Sequence, residues 1–179
     1  MERYDTSYSW GDPDVLSEIL RQFSKMRLHV VDVASGPNVI VPQTLIKRKA
    51  PFTYVAIDTD THHLRVQCRG IKNEYCWSVR ATGSRLPLKS ASIDLFFFHH
   101  AIDDILETEG MGGVESALNE SLRVTPPGGV IAFSHRVFEY DEFTKKISLG
   151  DIETLLAGIG SFDKKRCHGG QQDWLIVTV

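Results

Sequence analysis

The chain has few of the features that mark secretion, membrane spanning or binding to polyanions. Its three cysteines, Cys68, Cys76 and Cys167, are odd in number and lack the close paired spacing of a zinc knuckle or redox motif. Neither a metal site nor a disulfide framework is therefore expected. No apolar run approaches the ~18 residues that a membrane-spanning helix needs, and the opening MERYDTSYSWGDPD contains no apolar signal core. A soluble, cytoplasmic protein is the expectation. A positive excess is also missing: 20 Lys and Arg stand against 23 Asp and Glu, for a formal charge of -3. The one basic run, IKRKA (46–50), reads as the solvated end of a helix, so no nucleic-acid partner is expected.

What is present suits one compact domain over residues 1–179, with 42% hydrophobic residues and a separate amino-terminal segment at 1–27. GDPDVLSEILRQFSKM has Asp12 and Pro13 as helix-start signals, followed by apolar residues at helical spacing. LHVVDVA (28–34) is a β-branched run without alternating polarity, as in a strand covered on both faces. A helix over 39–49 follows, with Pro42 tolerated in its first turn, then a strand FTYVAID (52–58), a helix DTHHLRVQCRG (60–70) and a strand NEYCWSVRA (73–81). SIDLFFFHH (92–100) is the most apolar run and reads as a central strand. After it come a helix over 112–124, a strand in PPGGVIAFSHRV, a helix DIETLLAGIG, and two terminal strands joined by HGGQQD. This alternation predicts an α/β fold, a three-layer Rossmann-like sandwich on a mostly parallel seven-stranded sheet, with a carboxyl-terminal hairpin adding an antiparallel edge strand.

In such a sheet ligands sit at the carboxyl ends of the strands. There the turn VASGPN (33–38) follows the first strand. Small residues let backbone approach a ligand and aim free N–H groups at an anion, and Asp58, 22 residues after Gly36, ends the second strand where an acceptor for ribose hydroxyls belongs. A nucleoside-bearing cofactor is one reading; close packing of helix on strand, with Asp58 as a helix cap, is the other.

The segments VVDVASGPN, YVAIDTD, VRATGSRLPLKSASIDLFFFHHAIDDI and ESLRVTPPGGVIAF resemble, in order and spacing, the class I S-adenosylmethionine-dependent methyltransferases, most closely the type 11 branch that includes ubiquinone and menaquinone methyltransferases. The resemblance implies S-adenosyl-L-methionine as cofactor. Asp32 and the turn Ala34, Ser35, Gly36 and Asn38 would hold its amino and carboxylate groups, and Asp58 with Thr59 its ribose. Thr82 and Gly83 stand where the family places an Asp against the adenine amino group, and Phe98 and His99 would line the methyl-donor end. The chain departs from the family's acid-x-Gly-x-Gly-x-Gly turn in having Ala34 and Asn38 in place of the outer glycines, while Pro37 removes an N–H donor. Cofactor binding weaker than that of its relatives follows.

Methyl transfer from a sulfonium mainly requires alignment in a dry pocket, and a base only where the acceptor is protonated. His99, His100 and Asp104, with Asp103 beside them, are the candidate catalytic groups. The competing expectation is that one histidine at most faces the pocket and that the acids cap a helix. Tyr4, Tyr8 and Trp10 belong to a segment that in similar enzymes forms a lid, or else simply dock it. The short connection after the fifth strand implies an open acceptor pocket, completed by a second subunit in a homodimer or by a partner protein. The expected function is methyl transfer to a small-molecule acceptor. A catalytically silent binding or regulatory scaffold and a protein methyltransferase are the alternatives. A nicotinamide dehydrogenase is disfavoured because positions 34, 36 and 39 read Ala, Gly and Val.

Overall fold

The computed structural model describes residues 13–23, 27–36, 40–48, 50–71, 73–136, 147–169 and 172–179. Asn38, the lid aromatics and the connection after the fifth strand lie outside them. The elements run α1 (Pro13–Arg21), β1 (Leu28–Val33), α2 (Ile40–Lys47), β2 (Phe52–Asp58), α3 (Thr61–Gly70), β3 (Cys76–Arg80), β4 (Leu95–His99), α4 (Ala101–Val124), β5 (Val130–Arg136), α5 (Leu149–Ile159), β6 (Asp163–Gly169) and β7 (Gln172–Thr178).

The seven strands form one sheet in the order β3-β2-β1-β4-β5-β7-β6. β1 is parallel to both β2 and β4, with Val33 opposite Ile57 on one side and Phe98 on the other. Strand order therefore reverses between β1 and β4, and the crevice above that point is the expected ligand position. The antiparallel hairpin strand is present, but placed differently from expectation: β7 pairs with β5 and with β6, so it lies one in from the edge and β6 is the edge strand. β6 thus lies two places from β5 and runs parallel to it, and β7 returns antiparallel between them.

Two apolar layers cover the sheet. Residues of α4 and α5 pack on one face and residues of α1, α2 and α3 on the other. Pro42 sits in the first turn of α2, where its missing N–H is not needed. Asp60 caps α3 by accepting from the His62 N–H at 2.7 Å, and Ser148 and Asp151 form a reciprocal cap on α5. The helix expected over 112–124 begins much earlier, at Ala101, directly after β4, with His100 at its N-cap in left-handed backbone (φ 59°). It is broken inside at Gly110 (φ 71°, ψ −170°). Glycine punctuation in ETEGMGG hid the first half of this helix from periodicity, because the two halves present different faces.

Candidate functional site

At the carboxyl ends of β1 and β2 the chain makes two consecutive hooks. Ala34 (φ 48°) and Gly36 (φ 56°) both take left-handed backbone, a conformation that costs a residue with a Cβ roughly 1–2 kcal/mol. The path turns the Ser35 N–H onto the Ile57 carbonyl at 3.3 Å and the Gly36 N–H onto Asp58 Oδ2 at 2.9 Å. The other carboxylate oxygen of Asp58 accepts from the Asp60 N–H at 2.8 Å. Asp58 thus ties the first crossover to the second, and His63 Nδ1 stands 3.7 Å from its Oδ2. Each oxygen keeps lone-pair capacity for a further donor.

The loop after β3 forms the opposite wall. The Ala81 N–H donates to the Asp58 carbonyl at 3.2 Å, and Thr82 bridges Arg85. A Cβ on Gly83 would stand 2.8 Å from Val33 Cγ1 and 2.9 Å from Ile105 Cδ1, so glycine is what allows the loop to lie this close to β1 and α4. Further along, Arg123 donates to the carbonyls of Leu88 (2.9 Å) and Leu86 (3.3 Å), while its partner Glu120 accepts from the Leu86 N–H at 2.8 Å. This clamp is the physical content of the paired segments RLPLKSASIDL and ESLRV: the second holds the backbone of the first.

Between these walls and α4 lies a groove of about 230 Å³ lined by Ala34, Gly36, Asp58, Thr59, Thr82, Gly83 and Asp104, among others. These seven were all singled out from the sequence. Asp60, His63, Ala81, Ile105, Thr108 and Glu109 line it too and were not. The α4 set follows the i, i+1, i+4, i+5 spacing of one helical face, a signal present in DDILETE once a helix is recognised there. A smaller cavity of about 80 Å³ lies between β2, β3 and α3, lined by Tyr54, Gln67, Ile71, Cys76, Trp77 and Ser78. It holds none of the strand-end turns.

Other sequence candidates lie behind or beside the groove. Asp32 is 1% exposed; its Oδ2 accepts from the Tyr54 hydroxyl at 3.0 Å, and its Oδ1 has no hydrogen-bond partner among the described residues. Gln67 donates to Tyr54 Oη at 2.9 Å and accepts from buried Ser35 Oγ at 3.4 Å, completing a polar chain under the turn. Burial lifts the Asp32 pKa from 3.8 to about 7; the Tyr54 hydrogen bond opposes the shift and the Asp58 charge adds to it. Phe98 is fully buried, stacked on Phe133 with ring centroids 5.0 Å apart. His99 faces the opposite layer, its ring 6.0 Å from Trp174 and 4.5 Å from His100. Neither histidine lines the groove. Asp103 accepts from the Ile147 N–H at 3.1 Å, tying α4 to the segment before α5.

Residues 31–133 match the model of the methyltransferase domain family. The chain belongs to the methyltransferase domain family. Solved structures of similar fold include a putative S-adenosyl-L-methionine-dependent methyltransferase from Methanococcus maripaludis (TM-score 0.71, 20% identity, 93% of this chain and 84% of that one). Another is a SAM-dependent methyltransferase from Aquifex aeolicus (TM-score 0.71, 15% identity, 94% and 99%). A third is a putative methyltransferase of Haloferax volcanii in complex with a methyltransferase activator (TM-score 0.73, 10% identity, 93% and 88%). No curated protein sequence matches the chain. S-adenosyl-L-methionine is the cofactor that membership in this methyltransferase family implies. Among the described residues no group of His, Cys, Asp or Glu has the grouping of a metal site, and no helix is long and apolar enough to cross a membrane.

Proposed function

We propose that this methyltransferase domain binds S-adenosyl-L-methionine in the groove and transfers its methyl group to a small-molecule acceptor. The observation that carries the reading is Asp58: a buried carboxylate at the end of β2 whose position is set by the N–H groups of Gly36 and Asp60. That arrangement suits a ligand bearing both a ribose, whose hydroxyls donate to Asp58, and an anionic group, which the turn after β1 meets. Ala34 and Gly36 approach with backbone rather than side chain. Thr82 and Gly83 supply a wall at the adenine end, and Asp32 and Ser35, with the polar chain beneath the turn, support the amino acid end. Asn38 is assigned to the same end from the sequence.

The bound cofactor supplies an electrophilic methyl group on a good leaving group, so the work left to the protein is alignment and exclusion of water. Asp104, at the groove, and His99 and His100, at the end of β4, are the groups proposed to take a proton from an acceptor that carries one. Ser134 and Trp174 stand beside His99 in register across β5 and β7, and both Ser134 Oγ and Trp174 Nε1 are buried without hydrogen-bond partners among the described residues. Such atoms favour a polar small molecule over the carboxyl ends of β4 and β5 and the adjoining amino end of β7. The net charge of -3 disfavours nucleic acid as acceptor.

A catalytically silent scaffold is the second reading, favoured by Ala34, which holds a left-handed turn without the glycine that makes it easy. Titration calorimetry with S-adenosylhomocysteine separates the two. Saturable binding by the wild type, weakened roughly tenfold or more in Asp58→Ala, supports the enzyme. No heat at millimolar ligand defeats it.

A further inference from the structure

Where the family presents an acid to the adenine amino group, this chain has Thr82, and a hydroxyl can donate as readily as accept. The surroundings remove that ambiguity. Thr82 Oγ1 lies 2.8 Å from Ser84 Oγ, and Ser84 Oγ in turn donates to Glu109 Oε2. A carboxylate only accepts, so the single proton of Ser84 goes to Glu109; the contact between the two hydroxyls then consumes the proton of Thr82. What Thr82 has left for the groove is lone pairs. The geometry points to a relay in which Glu109, acting through Ser84, fixes Thr82 as an acceptor and so replaces the missing acid in recognising the amino edge of a 6-aminopurine.

Two glycines flank the place that Glu109 takes. Gly110 adopts φ 71° and ψ −170° directly after it, ending the first half of α4 at the groove. A Cβ on Gly113 would stand 2.3 Å from Glu109 Cβ, so the start of the second half leaves room for the glutamate to lie against it. Both Thr82 and Glu109 line the groove, together with Thr108. A Thr82 hydroxyl held as an acceptor suits an exocyclic amino group, which has protons to give, and disfavours a carbonyl in the same position. Glu109 is thus a positioning residue for Thr82 and a specificity determinant for the base.

The inference rests on the functional reading above, and its test keeps the two apart. Binding of S-adenosylhomocysteine is compared with that of its 6-oxo counterpart, S-inosylhomocysteine, by titration calorimetry. The wild type should prefer the amino form by about tenfold or more. Glu109→Ala frees the chain of protons to reverse, so the preference should fall to within about threefold, mainly through weaker binding of the amino form. Ser84→Ala, which keeps the Glu109 charge but cuts the relay, should lose preference as well, an effect that a purely structural or long-range charge role would not produce. Adding Thr82→Asp to Glu109→Ala should restore it, which also shows that the variant is folded. If the wild type binds S-adenosylhomocysteine and both single variants keep full discrimination, the relay is refuted and the methyltransferase reading stands. Binding of neither compound by the wild type overturns both.

Discussion

On the face of the sheet turned to α4 and α5, the strands present Val31, Val33, Ile57, Phe96, Phe98, Ile131, Phe133, Leu175 and Val177, an apolar surface from β2 to β7. The face under α1, α2 and α3 carries Leu28, Val30, Tyr54, Ala56, Leu95, Phe97, Val130, Ala132, Trp174 and Ile176. It is interrupted toward the strand ends by buried Asp32, His99 and Ser134. Burying apolar side chains stabilises in proportion to area, whereas each buried polar atom left unpaired subtracts from stability. Both faces therefore stabilise the domain, the first without interruption. The second gives some stability up at these buried polar groups toward the strand ends, in the manner of binding sites generally.

Four substitutions sharpen that contrast. The largest effect belongs to the apolar face: Phe98→Ala removes a fully buried ring stacked on Phe133 and should cost about 3–5 kcal/mol in denaturant unfolding. A loss under about 1 kcal/mol would mean that the stack is not packed as described.

On the polar face the effect depends on pH. Asp32 has a folded pKa of about 7 against an ordinary 3.8. Below about pH 4 both states hold the proton and there is no penalty. From there to about pH 7 the unfolded chain has released it while the folded chain keeps it, so stability falls by about 1.4 kcal/mol per pH unit; above that the penalty is constant. Asp32→Asn should abolish this slope, gaining more at pH 8 than at pH 5. Equal changes at both pH values would count against a buried, protonated Asp32. The same variant should bind S-adenosylhomocysteine less well.

Gly83 is where the apolar face meets the groove. Gly83→Ala forces a methyl against Val33 and Ile105 and should cost about 1–3 kcal/mol. It should also weaken S-adenosylhomocysteine by moving the wall; intact affinity with lowered stability would separate loop packing from binding. The smallest effect is at the turn. Ala34→Gly relieves a left-handed alanine and should stabilise by about 1 kcal/mol, read as a raised denaturation midpoint. An unchanged or lowered midpoint would show that Ala34 is unstrained.

The parallel strands were legible because continuous apolar runs such as FTYVAID and SIDLFFFHH have no other soluble use at that length. Asp58 and the Ala34–Gly36 turn were legible because a strand end followed by small residues leaves few alternatives. The first half of α4 was not, since Gly110 breaks the periodicity that would reveal it, and Thr108 and Glu109 went unnoticed with it; Asp60 and His63 stand at the start of the expected helix α3, and only the tertiary structure brings them to the groove. Phe98 and His99 were expected at the methyl-donor end. Their alternation on β4 instead sends Phe98 into one core layer and His99 toward Trp174 in the other.

By itself the sequence determined the succession of strands and helices, and with it the crevice beside β1, because hydrophobic period and turn chemistry act over a few neighbouring residues. The tertiary structure alone decided that β7 inserts between β5 and β6, that Asp32 turns to Tyr54, and that Glu109 meets Ser84. Each depends on groups distant along the chain, brought within hydrogen-bonding range only after the layers have closed.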